Sequence, residues 1–332
     1  MERRISRVRF IQNIRLTYRQ GVQMKKNWVR SVLFFACVGY ACSTFVATGE
    51  EVPLADPFIL CAQDRYYAYG THSPDGIAVY TSDDLRNWKA AGLALSKEDS
   101  YGEKNFWAPE VYRYKGKYYL FYTANEHICV ATADHPLGPF RQTVKRPMLD
   151  EKAIDNSLFV DADGTPYLFF VLLRGENAVW MAELERDLSR VKTETLRFCT
   201  HAEQAWELQM GKCNEGPFVL KHGGVYHLTY SANDFRCKGY GIGCATAKSL
   251  MGPWKKLPDN PILTRYGDRV GVGHHSFFTD RNGALRVVFH THNSPEQVAP
   301  RTMHIADAYW HSDRLCIDLS RVIDAREERS RE

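Results

Sequence analysis

Short apolar runs, each opened by a polar or acidic residue, recur along this chain with leading residues 54, 45, 60 and 59 positions apart. The runs start at Asp56, Pro109-Glu110, Asp155, Glu215 and His274. Each is followed across a tight turn by a segment rich in aromatic and β-branched residues, at 66–69, 118–122, 167–170, 226–230 and 285–289. Such composition favours strands, and four of the five turns (Lys115-Gly116, Asp163-Gly164, Gly223-Gly224 and Asn282-Gly283, beside Gln63-Asp64) carry the Gly that a two-residue hairpin wants. A third apolar strand closes each unit, at 77–80, 128–131, 179–182, 242–245 and 303–306. The pattern leaves no helix of usable length and no strand–helix alternation. A period of 45–60 residues built from hairpins is the signature of propeller blades.

The expected fold is therefore all-β, a single five-bladed β-propeller over residues 50–322 with a polar tail at 323–332. A two-sheet sandwich would show alternation without a long period. Aromatics on both faces of the strands suit blades that each pack between two others. Residues 201–212, which include Trp206, escape the repeat and read as a helical turn or loop on one rim.

Charge changes the picture only at the N-terminus. The chain of 332 residues has a formal net charge of +4, but its first 30 residues hold nine basic side chains against the single acid Glu2. The remainder carries 34 basic and 38 acidic side chains, so a nucleic-acid partner is set aside. Met24-Lys25-Lys26 followed by an apolar run at 32–41 and then Ala41-Cys42-Ser43 reads as a secretory signal over 24–42, too short to span a membrane. Residues 1–23 then read as an upstream extension from start-codon choice. The signal implies export, either secreted or anchored in the periplasm or outer membrane, and Cys42 after Gly39-Tyr40-Ala41 is similar to a bacterial lipidation box that would supply the anchor. Seven cysteines follow Cys42 without metal-type spacing; a pair among Cys213, Cys237 and Cys244 is the one disulfide considered.

The first strand of each propeller blade lies nearest the axis, so Asp56, Glu110, Asp155, Glu215 and His274 are expected to converge at one end of the channel. Like charges in one pocket raise each other's pKa, and burial adds to the cost, which makes such a cluster functional more often than structural. Paired carboxylates of unequal pKa are what glycosidic hydrolysis requires: a protonated acid for the leaving oxygen and an ionised base for water.

Five segments in order, Leu54-Ala55-Asp56-Pro57, Trp107-Ala108-Pro109-Glu110-Val111, Ile154-Asp155-Asn156-Ser157, Asn214-Glu215-Gly216-Pro217 and Gly273-His274-His275-Ser276, resemble glycoside hydrolase family 43. The resemblance implies a five-bladed propeller and inversion of anomeric configuration. It further implies Asp56 as general base, Glu215 as general acid and Asp155 as the residue that tunes and orients Glu215. The retaining invertase-like families carry other motifs that this chain lacks. Trp107 resembles the family's aromatic sugar platform, and Arg301 its arginine near the acid pair. His72 is placed at the border of the sugar pocket. His274 resembles the histidine that in many members contacts a calcium ion on the axis, often through water, although calcium prefers oxygen ligands; no cofactor is required for the reaction. Asn156 stands where many members have Pro and His275 where many have Asn, both beside the pocket. The resulting expectation is an exported inverting hydrolase that removes α-L-arabinofuranosyl or β-D-xylosyl units from plant-type polysaccharides or oligosaccharides. The alternatives are a β-D-galactofuranosidase or galactan-cleaving enzyme, and a non-catalytic carbohydrate-binding propeller.

Overall fold

The computed structural model describes residues 49–328; the upstream extension, the signal segment and Cys42 lie outside the described residues. The period-derived blades are all present, as five antiparallel sheets met in chain order. Blade one comprises β1 (Ala55–Ala62), β2 (Arg65–Ser73), β3 (Gly76–Ser82) and β4 (Asn87–Ser96). Blade two has three strands, β5 (Trp107–Tyr114), β6 (Lys117–Ala124) and β7 (His127–Ala133). Blade three comprises β8 (Ala153–Val160), β9 (Pro166–Leu173), β10 (Asn177–Glu183) and β11 (Arg197–Thr200). Blade four comprises β12 (Asn214–His222), β13 (Val225–Ala232), β14 (Gly241–Ala247) and β15 (Lys255–Lys256). Blade five comprises β16 (Gly273–Thr279), β17 (Leu285–Thr291), β18 (Thr302–His311) and β19 (Arg314–Asp324). Aromatic pairs bridge neighbouring blades, as Phe58 does with Tyr112 (centroids 5.3 Å apart) and Phe218 with Phe277 (5.7 Å), which is why these strands are apolar on both faces.

The polar tail is not a tail throughout. β20 (Arg326–Glu327) pairs parallel to β4, Ala325 is fully buried, and the Val52 N–H donates to the Ala325 carbonyl at 3.0 Å. The last segment thus closes the ring onto the outer edge of blade one, and the domain runs on to 328 instead of ending at 322. The charged side chains of β20 stay only partly exposed, and Asp324 is paired to the buried His304, while the backbone supplies sheet bonds, so composition alone mislabels this segment.

Every inner strand carries one irregularity at the same place. Pairing registers break between Ala55 and Phe58, Trp107 and Glu110, Ile154 and Ser157, Glu215 and Phe218, and Gly273 and Ser276. Inside each break one residue adopts left-handed backbone: Asp56 (φ 48°), Ala108 (44°), Asp155 (58°), Gly216 (53°) and His274 (42°). A β-bulge of this kind re-aims a side chain at the cost of local strain. Pro57, Pro109 and Pro217 follow directly in three blades, where a missing N–H costs nothing because the ladder is already interrupted.

This corrects the alignment read from the apolar pattern. Asp56, Asp155 and His274 are structural equivalents, but their counterparts in blades two and four are Ala108 and Gly216. Glu215 stands one residue earlier and Glu110 two residues later. The bulge inserts a residue that hydrophobic periodicity does not count.

Residues 201–212 do form a rim segment, with a single 3-10 turn at Ala205–Leu208. Its anchor is a buried ion pair, Glu207 to Lys256 at 2.6 Å. Glu207 also accepts the Tyr230 hydroxyl at 2.7 Å and the Glu203 and Gln204 N–H groups at 2.8 Å each, so the buried carboxylate has no unmet acceptor site. The seven described cysteines are all free, so the disulfide considered among Cys213, Cys237 and Cys244 is absent.

Ala to Gly inside a strand ordinarily costs roughly 0.5–1 kcal/mol. At Ala108 the left-handed backbone offsets that cost, so Ala108→Gly is expected to leave the urea midpoint unchanged or raised. A loss of the ordinary size would contradict the bulge.

Candidate active site

Three bulge residues, Asp56, Asp155 and His274, and Trp107 and Glu215 from just before the other two bulges line a cavity of about 450 Å³ at the mouth of the propeller axis, together with Arg301 among others. The backbone of each bulge residue is pinned by a side chain. The Ala108 N–H donates to Thr71 Oγ1 (3.0 Å), Asp155 to Thr123 Oγ1 (3.1 Å), His274 to Ser231 Oγ (2.8 Å) and Asp56 to His290 Nδ1 (3.1 Å). Thr71, Thr123, Ser231 and His290 all come from the second strand of the preceding blade. In blade three the equivalent position is the apolar Val171, paired with Ile154. There Asp155 itself takes over, and its Oδ2 accepts the Gly216 N–H at 3.1 Å. Asp155 therefore fastens the residue beside Glu215.

Asp56 is enclosed and strongly charged. Burial alone would raise its pKa, but the Arg301 guanidinium at 2.8 Å and His274 Nδ1 at 3.3 Å hold the carboxyl far below the usual range. The Thr71 hydroxyl donates to its Oδ2 at 2.6 Å. Asp56 is thus a fixed carboxylate at any working pH. Asp155 moves the other way: burial, then the charges of Glu215 and Asp56, push its pKa up against the opposing pull of His274. Burial would lower His274, yet the charge of Asp56, Asp155 and Glu215 outweighs it, so the ring is held protonated more firmly than a free histidine. Glu215 receives two donors, Tyr240 Oη to Oε1 at 2.8 Å and Cys213 Sγ to Oε2 at 3.1 Å.

Beneath this floor lies a second, small cavity on the axis, lined by Glu110, Asn156, His274 and His275 among others. Glu110 belongs here and not to the mouth, and burial raises its pKa to about 8 despite hydrogen bonds from Tyr112 and Ser157. The axial cavity offers few free protein oxygens for direct calcium coordination. Direct calcium coordination takes six to eight oxygens, whereas His274 turns Nδ1 toward Asp56 and Glu110 is engaged by Tyr112. Asn156 Oδ1 and His275 Nδ1 are buried without a protein partner. Among the described residues no three His, Cys, Asp or Glu side chains are grouped to hold an ion. His274 and Arg301 both bring positive charge against Asp56.

Two sequence-placed residues sit elsewhere. Asn156 is buried below the floor with Nδ2 donating to the Cys129 carbonyl at 3.1 Å, so it does not line the sugar cavity. His72 is exposed and lines a separate hollow with Lys104, Asn105 and Phe106, sharing only Trp107 with the main cavity. Five residues that the sequence did not single out complete the site: Thr71, Cys213, Phe235, Tyr240 and His290. Phe235 is 39% exposed, lines the cavity and carries the Arg301 guanidinium 4.7 Å above its ring. Tyr240 stacks on His290 with centroids 5.8 Å apart and planes 6° apart. Cys213 was legible, since it precedes Glu215 by two and alternate strand residues share a face; the others come from loops and second strands with no local mark.

Comparison with known proteins agrees with this geometry. The model of the Glycosyl hydrolases family 43 matches residues 51–315. A solved structure described as an endo-1,4-β-xylanase from Bacteroides thetaiotaomicron is 48% identical, covers 85% of this chain and all (100%) of its own, and superposes with a TM-score of 0.82. A β-D-galactofuranosidase of Aspergillus niger is 26% identical over 71% of this chain and 73% of its own length. An extracellular exo-α-(1→5)-L-arabinofuranosidase of Cellvibrio japonicus is 23% identical over 87% and 92% respectively.

The raised Glu110 pKa has a consequence for stability. The folded protein keeps a proton to about pH 8 that the unfolded chain releases near pH 4.3. Stability therefore falls as pH rises between those values. Glu110→Gln is expected to flatten the decline in melting temperature from pH 5 to pH 8; an unchanged slope would show that Glu110 is ionised in the fold.

Proposed function

Because the chain belongs to glycosyl hydrolase family 43, we propose that it is an exported enzyme hydrolysing α-L-arabinofuranosyl or β-D-xylosyl bonds of plant-type polysaccharides with inversion of configuration. The observation that carries this reading is the contrast between two carboxyls in one cavity. Asp56 is locked as an anion by Arg301 and His274, while Glu215 stands among uncharged donors, Tyr240 and Cys213. Asp56 accepts a proton from water on one face of the sugar, and Glu215 delivers one to the leaving oxygen on the other. Asp155 fixes Glu215 through Gly216, whose N–H it accepts. Trp107 and Phe235 offer two aromatic surfaces to the apolar faces of the sugar rings.

The relative described as an endo-1,4-β-xylanase, at 48% identity, favours a β-D-xylosyl substrate within this reading. A binding module has no use for an ionised base, a protonatable acid and a third carboxylate held together, which speaks against the non-catalytic alternative.

The test is turnover of aryl α-L-arabinofuranoside, β-D-xyloside and β-D-galactofuranoside together with xylo- and arabino-oligosaccharides, with the anomer of the first product followed by proton NMR. Asp56→Asn is expected to lower kcat at least a thousandfold, of the order seen when a catalytic base is lost. Glu215→Gln is expected to lose natural substrates but keep partial turnover of activated aryl glycosides. An initial product of retained configuration, or full activity in Asp56→Asn, would overturn the proposal; galactofuranoside cleavage alone would replace its sugar.

Export rests on the 24–42 pattern and on the word extracellular in the names of two arabinofuranosidase relatives. Expression of the full chain in a Gram-negative host is expected to place activity in the membrane fraction, and Cys42→Ser to release it to the periplasm. Activity confined to the cytoplasm would reject export.

A further inference from the structure

Cys213 is a buried thiol in the wall of the sugar cavity and the mechanism so far assigns it nothing. Three contacts fix which way it points. Its backbone is bridged to Asn177 at the start of β10, and the Asn177 Nδ2 donates to Sγ at 3.5 Å. With its acceptor side occupied, the thiol hydrogen is left to Glu215 Oε2, 3.1 Å away. Burial and then the adjacent Glu215 charge push the Cys213 pKa well above the ordinary thiol value, so Sγ stays a donor throughout the working range.

The other oxygen of the same carboxyl is held by Tyr240, whose ring is clamped in turn. It stacks on His290, the side chain that accepts the Asp56 N–H, and it packs over Gly273, where any Cβ would collide with the ring. The two donors are unequal: a phenol hydroxyl is a strong donor and a thiol a weak one. A carboxyl held this way gives up its weaker contact more readily, so Oε2, beside the thiol, is the oxygen that carries the transferable proton.

We propose that Cys213 is a positioning residue for the reaction: oriented by Asn177, its thiol holds Glu215 Oε2 at the angle for proton delivery and sets the upper pH limit of the acid. The choice of sulfur matters, because a hydroxyl at this position would grip the ionised carboxylate more strongly and draw the proton off at lower pH. The proposal rests on Glu215 being the general acid.

The test is the pH profile of kcat/KM for the full chain, its Cys213→Ala and Cys213→Ser variants and Glu215→Gln. Each is assayed on a dinitrophenyl glycoside, which needs no acid, and on an unactivated oligosaccharide, which does. On the oligosaccharide, Cys213→Ala is expected to move the alkaline limb upward by about half a pH unit or more and to lower kcat roughly threefold to tenfold. Cys213→Ser is expected to move that limb downward. The loss on the dinitrophenyl glycoside is expected to be smaller than on the oligosaccharide in both, since proton donation is not limiting there. Alkaline limbs that coincide with the parent in both variants, or equal losses on both substrates, would overturn the positioning role. Failure of the acid assignment itself reads out separately, as Glu215→Gln losing both substrates alike.

Discussion

One residue per blade held in left-handed backbone governs the whole site. Each such residue interrupts the inner strand and leaves an N–H that the ladder cannot satisfy, and Asp56, Asp155 and His274 turn their side chains into the cavity. Four of these N–H groups find a Thr, Ser or His from the preceding blade. In blade four the partner is the Asp155 carboxylate, because the preceding blade has Val171 where the others have a polar residue. A structural need common to five blades thus becomes, at one of them, the means by which one carboxyl is tied to the strand that carries another. Strain at the bulges is offset by interblade packing and these hydrogen bonds, which places strained backbone and reacting groups at the same positions.

Charge at the axis is arranged rather than merely crowded. Arg301 and His274 both face Asp56, and that pairing separates one permanently ionised carboxylate from its neighbours. Asp155 and Glu110 lack a cation of their own at contact distance, and burial acts on them unopposed enough to raise both. Tyr240 and His290 join the two halves: one face of the stack holds Glu215, and the other holds the backbone of Asp56. Glu215 and Asp56 are therefore joined through a stacked aromatic pair.

The cavity walls follow a different rule. Met210, Gly211 and Lys212 come from the one segment outside the repeat, fastened by the Glu207 to Lys256 pair, and Phe235 comes from the loop after β13. Variation in these segments leaves the bulges untouched, so substrate preference can change without disturbing the chemistry.

The sequence by itself determined the blade count, the hairpin turns and the three carboxylates, because aromatic and β-branched runs at a long period admit one architecture and motif order fixes which acids open the inner strands. Resemblance also singled out Arg301 and Trp107, and both line the same cavity. It misplaced Glu110, His72 and Asn156. A bulge adds a residue that periodicity does not count, which puts Glu110 below the floor. Neighbours in sequence on a strand point to opposite sides, which carries Asn156 away from the cavity beside Asp155, whereas His72 lies near the end of β2 in a separate hollow that it lines together with Thr71. Only the tertiary structure decided which N–H groups Thr71 and His290 would satisfy, that the last strand would close the ring, and that a thiol and a phenol would hold the two oxygens of Glu215. Those contacts join residues far apart along the chain, and their strength depends on burial and on distances that no local pattern encodes.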